Sequence, residues 1–148
     1  MSDRPALRLL RLRPDATEPR YATEGAAGLD LSAALDTSIT IAPGDHAMIS
    51  TGWAMAIPAG YEGQVRPRSG LAARDRVTVL NAPGTIDSDY RGEICILLVN
   101  LGDAPFVVEH GARIAQLVIT PVTRVELRVA DALDGTTRGD AGFGSTGL

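Results

Sequence analysis

The apolar and β-branched runs of this 148-residue chain are short, and Gly, Pro or Asp closes nearly every one. That feature limits the fold more than any other. "TSITIAP", "HAMISTGWAMAIP", "GQVRP", "RVTVL", "GEICILLVNL", "PFVVEH", "RIAQLVITPV" and "RVELRVA" follow one another between such breakers. A helix needs a longer run with a 3.6-residue repeat, whereas short runs bounded by turn formers read as strands. Leu7, Leu9 and Leu12 alternate with Arg8, Arg11 and Arg13, apart from a slip at Leu10, which reads as an edge strand. One short helix fits at Ser69 to Arg74, with Ser69 as its N-cap. The expected class is all-β, a sandwich, barrel or jelly roll carrying one short helix.

The length suits one domain with a sizeable core. Aromatics make up only 4% of residues, too few to stack a long single strand of nucleic acid. Net charge is −4 and every basic residue is Arg. A general DNA or RNA binder needs a basic face, so nucleic acid is not an expected partner. A small anionic ligand stays open, because a few placed guanidinium groups can hold one. No apolar run approaches a membrane span, and a cytoplasmic location is expected. The one cysteine, Cys95, excludes an internal disulfide and reads as a small buried hydrophobe. With only two histidines, far apart, any metal is expected to be a hard cation held by oxygens, such as Mg²⁺.

Five stretches carry residues that could do chemistry. "AAGLDLSAA" places Asp30 between two leucines; such an acid usually faces solvent, but it could hold an ion or its waters. "RPRSGLA" sets Arg68, Ser69 and Gly70 where a helix begins, a place where free N–H groups attract anions; a plain cap is the bland alternative. "NAPGTIDSDYRGEI" holds Asp87 and Asp89 two apart, which on a strand would put both carboxylates on one face. "RIAQLVI" puts the amide of Gln116 in an otherwise apolar strand, where it needs partners. "RGDAGFGSTG" nearly matches the phosphate loop G-x-x-x-x-G-K-[ST], but its lysine is missing and no helix can follow, which rules out a Walker fold. Its glycines still let backbone N–H groups approach phosphate oxygens, and Arg138 could replace the lost charge. A frayed tail is the bland reading of the same segment.

In this order, from residue 26 to 147, the five stretches resemble the motifs of the trimeric dUTPases, the deoxyuridine 5′-triphosphate nucleotidohydrolases. The resemblance implies a distorted jelly-roll-like β-barrel over 1–133 and a flexible glycine-rich C-terminal arm over 134–148. It implies a homotrimer with shared active sites, in which one chain's arm closes a neighbour's site. The implied reaction is Mg²⁺-assisted hydrolysis of dUTP to dUMP and pyrophosphate, which supplies dUMP for thymidylate synthesis and keeps uracil out of DNA. By the same resemblance Asp87 is the catalytic base, and Asp89 supports the hairpin or pairs with an Arg such as Arg91. Asn81, Thr85, Ile86 and Cys95 hold the base, Cys95 through its backbone. Tyr90 packs on the deoxyribose and Phe143 stacks on the base. Arg68, Ser69, Gly70, Gln116, Arg138, Gly144, Ser145 and Thr146 hold the phosphates, and Asp30 anchors the metal through water. Two other readings are a dCTP deaminase-like enzyme of the same fold and a non-catalytic jelly-roll protein with a structural or regulatory role.

Overall fold

A computed structural model describes residues 4–144. Its strands are β1 (Arg8–Arg11), β2 (Arg20–Tyr21), β3 (Leu29–Ser32), β4 (Ile39–Ile41), β5 (His46–Ala56) and β6 (Tyr61–Arg66), followed after a helix by β7 (Val77–Val79), β8 (Gly84–Ile86), β9 (Glu93–Asn100), β10 (Phe106–Val108) and β11 (Arg113–Pro121). The helix is α1 (Ser69–Asp75). One sheet has the order β1-β5-β9-β7, a second β2-β3-β11-β6-β8, and β10 pairs with β4 in a third. Every pairing is antiparallel.

Period-two alternation explains the core. Along β9, Ile94, Ile96 and Leu98 are buried while Glu93, Cys95 and Leu97 are half-buried on the other face. Leu31 from β3 and Ile114 and Leu117 from β11 join Ile49 and Val77 in the same cluster. Each fully buried Leu or Ile contributes roughly 1.5–3 kcal/mol of transfer free energy. One polar side chain inside, Asn100, is fully satisfied: its amide donates to the Ile41 carbonyl at 2.9 Å and the Ala104 carbonyl at 2.8 Å, and its oxygen accepts from the Gly102 N–H. It ties the end of β9 to the loop that follows.

Three expectations need correction. Ser69 does not cap α1; Arg68, extended at φ −91 and ψ 127, holds that position without a side-chain cap, and Ser69 is the first helical residue. Second, "RVELRVA" is not a strand. The ladder ends at Pro121, and Val125, Leu127 and Val129 alternate with polar residues but stay exposed. An alternating pattern makes a strand only where a partner edge is available, and this segment pairs with none among the described residues. Third, Asp87 and Asp89 share no strand: β8 stops at Ile86, and the Tyr90 N–H donates to the Asp87 carbonyl at 3.1 Å, which turns the chain.

Candidate active site

A cavity of about 480 Å³ lies where β8 of one sheet meets β5 and β9 of another. Its wall includes Asn81, Gly84, Thr85, Ile86, Asp87 and Tyr90 from the turn around β8, with Glu93, Ile94, Cys95 and Leu97 from β9. Met48 of β5, paired opposite Leu97, and Val65 of β6 complete it. β8 is the edge of its sheet, so one row of its backbone groups has no ladder partner. Asn81 lies over Gly84, since a side chain there would meet the Asn81 amide at 3.1 Å.

The two acids part company here. Asp87 borders this cavity and Asp89 does not, although both line a second depression with Ser88 and Ala59. Arg91 does not pair with Asp89; its guanidinium donates to the carbonyls of Ser88 at 2.7 Å and Tyr90 at 2.8 Å. Both bonds brace the turn that carries Asp87. Tyr90 lies over Gly92, whose missing side chain leaves room for the ring, and its hydroxyl donates to the Glu93 carbonyl at 3.0 Å.

Cys95 is not the buried hydrophobe expected from its apolar run. It is half-buried on the cavity face of β9, because strand parity places it opposite Ile94 and Ile96. Burial, and then the Glu93 carboxylate, push its thiol above the ordinary range. Glu93 itself is a wall residue that the sequence reading missed. Its carboxylate accepts from the Ser50 hydroxyl and, at 2.8 Å, from the Gly52 N–H. That N–H sits where β5 bulges between Ser50 and Ala54 and leaves its ladder with β9.

A second cluster gathers Asp30, Arg68, Arg113 and Gln116. Arg68 Nε lies 3.6 Å from Asp30 Oδ1, and Arg113 Nη1 donates to Asp30 Oδ2 at 3.1 Å. Arg68 Nη1 donates to the Arg113 carbonyl at 3.2 Å. Gln116 donates to the Pro67 carbonyl at 3.0 Å and lies against Gly28, where any side chain would strike its amide oxygen. The amide thus finds its partner, and that bond pins the residue before Arg68.

The tail stands apart from both clusters. Arg138 turns back on the Ala141 carbonyl at 2.9 Å, Phe143 is wholly exposed, and Gly144 adopts φ 86. None of these reaches the cavity of its own chain. Ser145 and Thr146 lie outside the described residues.

The model of the dUTPase family matches residues 15–147. This chain belongs to the dUTPase family. Within it, the deoxyuridine 5′-triphosphate nucleotidohydrolase of Sinorhizobium medicae is 59% identical over 132 residues, covering 88% of this chain and 82% of that protein. The protein of the same name from Rhizobium leguminosarum bv. trifolii is 54% identical over 149 residues, covering 98% of this chain and 96% of its own length. Among solved structures, a Staphylococcus bacteriophage 80alpha dUTPase with dUpNHpp aligns at a TM-score of 0.84 and 28% identity, over 97% of this chain and 99% of that one. The jelly-roll-like β fold of such dUTPases is the fold of this chain. Family membership covers the cavity, the arginine cluster and nearly all of the tail in one stroke.

Proposed function

We propose that this chain hydrolyses dUTP to dUMP and pyrophosphate, with Asp87 as the group that orients and deprotonates the attacking water. The observation that carries this reading is the convergence of Asn81, Thr85, Ile86, Asp87, Tyr90 and Cys95 on one cavity. The unpaired edge of β8 and the Asn81 amide offer fixed donors and acceptors to the edge of uracil. A base that cannot match them leaves buried polar groups unpaired, which is costly. In this reading Tyr90, whose hydroxyl donates to the Glu93 carbonyl, packs on the deoxyribose and excludes a 2′-hydroxyl. Water then attacks the α-phosphorus, the bond to the β-phosphate's bridging oxygen breaks, and Asp87 takes the proton. Arg68, Ser69, Gly70 and Gln116 hold the inner phosphates.

Among the described residues no group of three or more His, Cys, Asp or Glu side chains could cage a metal. Asp30 would anchor an Mg²⁺ ion through water beside the substrate phosphates. Bound so, the ion would supply positive charge against the phosphate oxygens. The remaining phosphate contacts come from the arm over 134–148, through Arg138, Gly144, Ser145 and Thr146, with Phe143 stacked on the base. In this reading the arm serves a neighbouring subunit of a homotrimer. Its support is the exposed stretch over 124–130, which joins no strand and keeps an apolar alternation that no described residue covers. Among the described residues no helix is long and apolar enough to cross a membrane; a cytoplasmic site of action is part of the same proposal.

The test is pyrophosphate release from dUTP beside dTTP, dCTP and UTP. Release from dUTP alone is expected. Ammonia release from dCTP would favour the deaminase reading instead, and inertness toward all four would favour a non-catalytic one.

A further inference from the structure

Arg113 is the residue whose placement the established pattern leaves unexplained. On a regular strand it would share a face with Ala115 and Leu117, which are buried in the core. It does not, because the pairing of β11 with β3 shifts: Arg113 faces Ser32, yet Ala115 faces Leu31. This bulge turns Ile114 and Ala115 both inward and swings Arg113 out to the face of Asp30 and Gln116. There it donates to Asp30 Oδ2 at 3.1 Å, while Arg68 takes the other oxygen at 3.6 Å. The Arg113 carbonyl also accepts from Arg68 at 3.2 Å.

Charge decides what this arrangement does. Asp30 is mostly covered, with 17% of its side chain exposed, so its pull on a lone guanidinium would be strong. With one arginine it would neutralise that arginine. With two, the cluster keeps a net positive charge facing the triphosphate. We propose that Arg113 is a positioning residue for phosphate binding: it occupies one oxygen of Asp30 and so leaves Arg68 free to turn to substrate. This rests on the assignment of Arg68 to the phosphates above. Arg113 is half-exposed and Arg68 stays beside Asp30 when it is lost, so its loss should not unfold the chain.

The experiment measures binding of dUpNHpp and of deoxyuridine to the full chain, in EDTA so that no ion mediates the effect. Arg113→Ala should weaken dUpNHpp by about tenfold and leave deoxyuridine within about twofold, a coupling within the usual range for charged neighbours. Arg113→Lys should recover most of the loss, since only one N–H reaches Asp30. Adding Asp30→Asn to Arg113→Ala should also recover part of it, because the carboxylate that captures Arg68 is gone. Equal losses for both ligands, or no recovery in the double variant, would overturn the positioning role. If Arg68→Ala weakens dUpNHpp and Arg113→Ala does not, this inference fails while the proposed function stands. If Arg68→Ala itself changes nothing, the phosphate assignment fails and this inference with it.

Discussion

The base cavity and the tail are built on opposite plans. The cavity is made by one chain from braced parts: Arg91 holds the Asp87 turn, Glu93 caps the β5 bulge, and Gly92 makes room for Tyr90. Past Val122, whose N–H donates to the Gly60 carbonyl at 2.9 Å, the tail joins no strand among the described residues and carries exposed apolar side chains such as Leu127, at 90% exposure. A stable domain rarely leaves alternating Val125, Leu127 and Val129 in water without a use. The difference teaches that this chain braces the wall of a cavity of about 480 Å³ by contacts of its own, whereas its tail is left without such contacts among the described residues.

Four experiments would break or sharpen that contrast. Asp87→Asn should cut turnover by roughly 10²–10⁴-fold while dUpNHpp still binds. Turnover like that of the wild type would remove the base from the cavity. Deleting residues from Arg138 onward should lower kcat/KM on the order of 10²-fold through lost positioning, with no change in melting temperature. Mixing the truncated chain with the Asp87→Asn chain should restore activity after subunit exchange; no recovery would make the arm serve its own chain. Gly92→Ala is milder. Its methyl would sit 2.6 Å from Tyr90 Cζ, so the ring must shift, and the preference for dUTP over UTP should fall by about tenfold. An unchanged ratio of kcat/KM values would strip Tyr90 of its role as sugar gate.

The smallest effect concerns Cys95. Its folded-state pKa is raised above the ordinary value of 9.0 by burial and then by Glu93. The thiol is therefore protonated in the folded protein wherever an exposed cysteine already ionises. The associated stability is complete below pH 9.0 and is lost as pH rises through the folded value. Alkylation by iodoacetamide at pH 8 should be slow until the protein is denatured, and bound dUpNHpp should slow it further. Rapid alkylation of the native chain would contradict the enclosed cavity wall.

Most of the strands, the single helix and the five motif stretches could be read from residue patterns, because short β-rich runs and Gly, Pro and Asp breakers are local signals. Gly28, Asp87 and Tyr90 could be marked as belonging to functional stretches for the same reason. Other positions could not. Ser69 looked like a cap by residue type, but Arg68 holds that place, its carbonyl accepting from the Ala72 N–H at 3.1 Å. Cys95 looked buried because its neighbours in sequence are apolar, whereas its side of β9 faces an opening between sheets.

By itself, then, the sequence determined the class of fold, the family and the stretches that carry chemistry. Tertiary structure alone decided which way residues face. A one-residue bulge turned Arg113 to the face of Asp30, a turn at Asp87–Tyr90 separated two acids that strand spacing would have paired, and the lack of a partner edge left 124–130 unpaired. The physical reason is common to all three: local pattern sets what a segment can be, while register and available partners set what it touches.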